Sequence, residues 1–94
     1  MTTLALLQVT VYGRVQGVYF RAFTASHAQE LGLTGYVRNL GDRQAVEVEA
    51  EGEKDKLEKL IDHLKAGPPG ANVEKVQTNW AEYTGSYTEF SIRY

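Results

Sequence analysis

The chain has 94 residues, 43% of them hydrophobic and 23% charged, with no cysteine and a formal net charge of −2 at pH 7. That length makes a single domain, residues 1–94, with a core just large enough to fold alone, and the composition excludes a disordered chain. The lack of cysteine excludes disulfides and thiol catalysis and fits a cytoplasmic location; the acidic balance argues against general nucleic-acid binding, and no apolar run is long enough to span a membrane.

In chain order, Leu7, Val9 and Val11 alternate with Gln8, Thr10 and Tyr12, which predicts a half-buried strand within the apolar segment from Leu4 to Tyr12. No basic segment precedes Leu4 to Leu7 and no long hydrophobic stretch follows, so a secretory signal is not expected. After a short loop, Phe20, Phe23, His27, Ala28 and Leu31 recur at spacings of three and four. They predict a helix from Arg21 to Leu31, closed by Gly32. Tyr36 to Asn39 reads as a second strand and Ala45 to Glu51 as a third. In the third, Val46, Val48 and Ala50 face one way, while Glu47, Glu49 and Glu51 mark a solvated face. Leu57, Leu60, Ile61 and Leu64 form the apolar stripe of a second helix, Glu53 to Ala66, ended by Gly67 and Pro68. Val73 to Tyr83 is a long fourth strand and Glu89 to Arg93 a short last one. The order β-α-β-β-α-β, with one extra C-terminal strand, predicts a ferredoxin-like α+β sandwich. Its sheet is expected to be antiparallel, with both helices on one face and the other face wet.

The segment Gly13-Arg14-Val15-Gln16-Gly17-Val18-Tyr19-Phe20-Arg21 joins the first strand to the first helix. Its two glycines let the backbone curl tightly, and such a junction points several N–H groups into one concavity that attracts an anion. Arg21 stands at the helix entrance with a planar, permanently charged fork of donors. The charge order of the two helices points the same way. The second obeys the helix dipole, with Glu53 and Asp55 at its start and Lys65 at its end, whereas the first has Arg21 at its start and Glu30 near its end. An exposed cation at a helix N-terminus is unfavourable by roughly 0.3–1 kcal/mol. A local rule broken beside a glycine-shaped nest predicts a phosphate-sized site. The alternative is an Arg21 salt-bridged to some carboxylate.

This segment resembles the signature G-x-V-Q-G-V-x-F-R of the acylphosphatase family, matching at Gly13, Val15, Gln16, Gly17, Val18, Phe20 and Arg21. The stretch Gly32-Leu33-Thr34-Gly35-Tyr36-Val37-Arg38-Asn39-Leu40 resembles the second signature, which ends in an asparagine. Gly67-Pro68-Pro69-Gly70-Ala71 with Val73 and Val76 also fits, so the resemblance covers essentially the whole chain. It implies the same fold, and hydrolysis of acyl phosphates to carboxylate and inorganic phosphate with no metal, cofactor or covalent intermediate. Arg21 would bind the phosphate together with loop amides of Val15, Gln16, Gly17, Val18, Tyr19 and Phe20, with Gly17 allowing close backbone approach. Asn39, ending a second strand expected beside the first, would position the attacking water. Its amide oxygen would accept from the water and its NH₂ donate to a phosphoryl oxygen. The scissile bond is already activated, so positioning and charge stabilisation suffice. The lack of a strong base near the motifs suits a loose transition state. The expected partners are an acyl phosphate and inorganic phosphate, with no nucleic acid and no membrane, and the expected state is a monomer. One departure stands out. The family's Asp-Gly hairpin turn is replaced by Gly41-Asp42-Arg43-Gln44-Ala45, which predicts a longer loop with Gly41 at a special dihedral.

Other chemistry-bearing residues read as structural. His27 on the core-facing stripe is expected to be buried or half-buried, and His63 to be solvated; with no cysteine available, no metal site is expected. Ser26 and Ser86 have no recognisable base or oxyanion partner, and the loop lacks the Gly-Lys-Ser/Thr of a nucleotide P-loop. Two rivals remain. A single-stranded RNA module would use Tyr36, Trp80 and Phe90 for stacking, but its signature is absent. A domain binding carbamoyl phosphate for a partner is the second; both Arg21 and Asn39 being present argues for an enzyme.

Overall fold

A computed structural model describes residues 2–41 and 44–94. The elements are β1 (Leu4–Arg14), α1 (Phe20–Glu30), β2 (Thr34–Asn39), β3 (Ala45–Glu53), α2 (Lys54–Ala66), β4 (Asn72–Ala81) and β5 (Phe90–Arg93). They form one five-stranded sheet in the order β4-β1-β3-β2-β5. The apolar alternation does what its period requires. Leu7, Val9 and Val11 of β1 meet Val46, Val48 and Ala50 of β3 in a core with Leu57, Leu60 and Leu64 of α2. The helix α1 lies on β2 and β5, and α2 on β1, β3 and β4, so both helices cover one face.

Three expectations need correction. The sheet is mixed, because β5 runs parallel to β2 while the other pairs are antiparallel. The reason is geometric. Leu6 pairs with both Ala81 and Glu51, and Glu51 with Thr34, so β4 ends at the end of the sheet where β2 begins. A chain crossing there enters the free edge of β2 in the direction of β2. Secondly, β2 does not lie beside β1; β3 separates them. Thirdly, the far sheet face is only partly wet. The crossing segment lays Thr84 and Tyr87 over it, and Glu51 is 1% exposed, its Oε2 accepting from the Thr84 N–H at 2.6 Å and hydroxyl at 2.7 Å.

The inner side of α1 also differs from the predicted stripe. Phe20, Thr24, Ala25 and Ala28 are its buried residues, while Phe23, His27 and Leu31 are half-buried. Small residues inward let α1 sit close to the sheet. His27 is half-buried as expected, but His63 is not simply solvated. The two imidazoles stack across the helix pair with centroids 3.7 Å apart, and the Phe23 ring meets the His27 ring edge-on at 4.6 Å.

Candidate active site

At the end of β1 the pairing with β4 slips between Tyr12 and Gly13, turning the strand into the loop. The Gly13 N–H donates to the Gln44 carbonyl at 2.9 Å, and Gln16 Nε2 donates to the Ala45 carbonyl at 2.9 Å. The same Ala45 carbonyl accepts the Leu40 N–H at 3.0 Å. These bonds fasten the loop to the β2–β3 turn, which is how Asn39 comes beside it although β1 and β2 do not touch. Gly41 has φ +45°, as the departure from Asp-Gly predicts; Asp42 and Arg43 lie outside the described residues.

The loop opens into α1 without a conventional cap. Tyr19 takes the cap position at φ 60° and ψ 24°, with no side-chain cap bond and no acid in the first helical turn. Among the described residues, no backbone carbonyl accepts from the N–H groups of Gly17, Val18, Tyr19 or Phe20. Four successive donors at the positive end of a helix are an arrangement suited to an anion. Gly17 has φ +73°, and a Cβ there would meet no protein atom within 4 Å. The dihedral, not crowding by the protein, selects glycine.

Among the described residues that line this concavity, Arg21 is the one with a charged side chain. Its Nη1 donates to the Arg93 carbonyl at 3.3 Å, and its guanidinium lies 4.7 Å from the centroid of the Tyr94 ring. Among the described residues no carboxylate reaches it, so the salt-bridged alternative is not realised. Asn39 Oδ1 is buried without a hydrogen-bond partner among the described residues. Buried acceptors are rarely left so, and an orphan one on a residue that lines a cavity marks a position suited to a ligand or water.

Gly17, Tyr19, Phe20, Arg21 and Asn39 line one open cavity of about 350 Å³, with Val15 also contributing to its wall. Of the other loop residues, Gln16 turns its side chain to the Ala45 carbonyl and Val18 packs half-buried against the core. The Val15 N–H already donates to the Gly13 carbonyl at 3.0 Å, and its side chain is 1% exposed. Ala22, Ile92 and Tyr94 line the same cavity and were missed from the sequence. Only the parallel docking of β5 brings Ile92 and Tyr94 there.

A larger cavity of about 440 Å³ lies on the far sheet face, bordered by Gln8, Tyr36, Glu47 and Glu49. Its carboxylates are already engaged. Glu47 accepts from Arg38 Nε at 2.7 Å and the Tyr36 hydroxyl at 2.8 Å, while Glu49 accepts from Gln8 Nε2 at 2.8 Å and from the Tyr87 hydroxyl. Burial pushes the Glu47 carboxyl up, but the bonds from Arg38 and Tyr36 outweigh it and hold the group below the usual carboxylate range. Burial, then the carboxylate each one faces, pushes the Tyr36 and Tyr87 hydroxyls up to about 12. The aromatics that would stack RNA are also engaged. Phe90 is 4% exposed, the Arg93 guanidinium lies 4.0 Å from the Tyr36 ring centroid, and Lys54 lies 5.4 Å from that of Trp80.

The family model described as Acylphosphatase matches residues 7–92. An acylphosphatase of Dehalococcoides mccartyi is 49% identical over 88 residues, covering 94% of this chain and 97% of that protein. The crystal structure of acylphosphatase from Bacillus subtilis superposes with a TM-score of 0.91 at 34% identity, covering 98% of this chain and 100% of that one. Full-length HypF, solved in a phosphate- and nucleotide-bound form, matches with a TM-score of 0.83 at 30% identity; 99% of this chain corresponds to 12% of it.

Proposed function

Given that the chain belongs to the acylphosphatase family and hydrolyses acyl phosphates to carboxylate and inorganic phosphate, we propose how its residues divide that work. The N–H groups of the Gln16 to Phe20 loop and the fork of Arg21 hold the phosphoryl oxygens. Asn39 Oδ1 accepts a hydrogen bond from a water and aims it at phosphorus, opposite the P–O bond to the acyl group. The water oxygen forms the new bond, the carboxylate leaves with the electron pair of the old one, and the water's proton passes to the phosphate product. A carboxylate leaves without protonation, and a loose transition state needs little proton removal beforehand, so positioned donors suffice. The observation that supports this assignment is that Asn39, whose Oδ1 is buried and unpartnered among the described residues, lines one cavity with Arg21, next to N–H groups of Gly17 to Phe20 that meet no backbone carbonyl among those residues.

No metal and no covalent intermediate take part in the proposed route. Among the described residues, no side chain that lines the cavity supplies a carboxylate, imidazole, thiol or serine hydroxyl to bind an ion or attack phosphorus. The protein acts as a monomer of one domain, in the cytoplasm, on a small-molecule acyl phosphate, without nucleic acid or membrane. The net charge of −2 and the lack of a helix long and apolar enough to cross a membrane, among the described residues, support that assignment. The test is hydrolysis of a simple acyl phosphate by purified protein. Activity is expected to survive EDTA and to be inhibited competitively by inorganic phosphate. Loss with EDTA and recovery with a divalent ion, or tight single-stranded RNA binding without turnover, would overturn it.

A further inference from the structure

Two arginines stand side by side on the far face of the sheet. Arg38 of β2 and Arg93 of β5 are register partners on neighbouring strands. Like charges placed so repel, and the pairing is destabilising unless each cation finds a partner of its own. Arg38 takes the carboxylate of Glu47, 2.7 Å away. Arg93 makes no salt bridge among the described residues; its guanidinium lies over the Tyr36 ring, 4.0 Å from carbon to centroid. Tyr36 is itself fixed in place. Its hydroxyl donates to the same Glu47 oxygen at 2.8 Å, and the Tyr87 ring lies 6.1 Å from its own.

Arg93 also reaches the candidate site, through its backbone. Its carbonyl accepts from Arg21 Nη1 at 3.3 Å, and among the described residues no other acceptor holds the Arg21 fork. A long side chain held by one long hydrogen bond keeps much of its rotamer freedom, and that freedom must be given up when it grips a ligand. The place of the Arg93 backbone therefore bears on how well the fork is preset. Arg93 ends β5, a four-residue edge strand that pairs with β2 alone. Such an end frays unless it is tied down. The contact that ties the Arg93 side chain is the ring of Tyr36.

Resting on the assignment of Arg21 to the phosphoryl group, we propose that Tyr36 is a positioning residue for that arginine, acting from the far face of the sheet. Its ring holds the Arg93 side chain, Arg93 holds the end of β5, and the carbonyl there holds the Arg21 fork. Tyr36 borders the other cavity, so it touches neither phosphate nor the attacking water. A cation is drawn to the face of any aromatic ring, so the ring at position 36 carries the effect and the hydroxyl only orients it.

The test reads the affinity for inorganic phosphate by NMR titration, which needs no turnover, at a temperature far below the melting point of every variant. Tyr36→Leu is expected to weaken phosphate binding about two- to fivefold, the range set by a cation–ring contact at an exposed site. Tyr36→Phe keeps the ring and is expected to match the unmodified protein. Arg93→Ala, at an exposed position, keeps the carbonyl and loses the stacked group. It is expected to weaken phosphate to the same extent, and it decides the matter should Tyr36→Leu not fold. In an Arg21→Ala background neither change is expected to weaken phosphate further, whereas a general loosening of the fold would add to the loss. Unchanged affinity in folded Tyr36→Leu or in Arg93→Ala, a Tyr36→Phe variant as weak as Tyr36→Leu, or an equal further loss in the Arg21→Ala background overturns the proposal. Phosphate affinity unchanged by Arg21→Ala itself overturns the assignment beneath it as well.

Discussion

Replacing Asn39 by alanine separates catalysis from folding, because the side chain has no bonding partner to lose among the described residues. Its Oδ1 is buried and unsatisfied, and burying a lone acceptor costs about 1–3 kcal/mol. Asn39→Ala removes that acceptor and keeps Cβ, so part of the cost is recovered against the small loss of packing. Asparagine is also a poor strand former, and position 39 ends β2. Stability is expected to stay level or rise by up to about 1 kcal/mol, an upward shift of no more than about 4–8 °C in Tm for a domain this size. Turnover has the opposite fate. Losing one preorganised polar contact to the reacting groups commonly reduces kcat by about 10²–10³, or about 2.7–4 kcal/mol. Phosphate held by Arg21 and the loop amides should bind nearly as before. The assay is threefold: initial rates on an acyl phosphate, competitive inhibition by inorganic phosphate, and thermal melts of both proteins. Full turnover in Asn39→Ala would refute the assigned role. A loss of several kcal/mol in stability would show that the side chain holds the fold, and that its exposure to the cavity is incidental.

Arg21→Ala is expected to weaken phosphate inhibition and to cut turnover together, since the guanidinium meets the phosphoryl group before and during reaction. Arg21→Lys should fail nearly as badly, because an ammonium lacks the planar two-pronged contact; normal phosphate inhibition in Arg21→Ala would contradict this. Alkaline stability tests the far face of the sheet. Tyr36 and Tyr87 titrate near 12 when folded against 10 when unfolded, so the folded state keeps protons that the unfolded chain loses. Their contribution is complete below pH 10 and is lost as pH rises to about 12. Denaturant melts across that window should fall less steeply for Tyr36→Phe and Tyr87→Phe than for the parent, and equal slopes would sink the assignment.

Much of this protein is determined locally. Period-two and period-3.6 apolar spacing fixes which residues of β1, β3 and α2 face the core, because burial must follow the geometry of the backbone. The paired glycines, the missing acid at the start of α1 and the misplaced Arg21 mark the proposed anion site from chain order alone, since they concern neighbours in sequence. What the sequence leaves open are relations between distant segments. Alternation is the same for parallel and antiparallel strands, so the direction of β5 depends on where β4 ends and how residues 82–89 cross the sheet. That crossing buries Glu51, whose spacing is the same as that of the more exposed Glu47 and Glu49. The stack of His27 on His63 depends on the approach of two helices. The third side of the candidate site depends on the same tertiary decision as β5: docking its strand beside β2 carries Ile92 and Tyr94 to the loop, where the Tyr94 ring comes to lie against the guanidinium of Arg21, a residue that local sequence singles out.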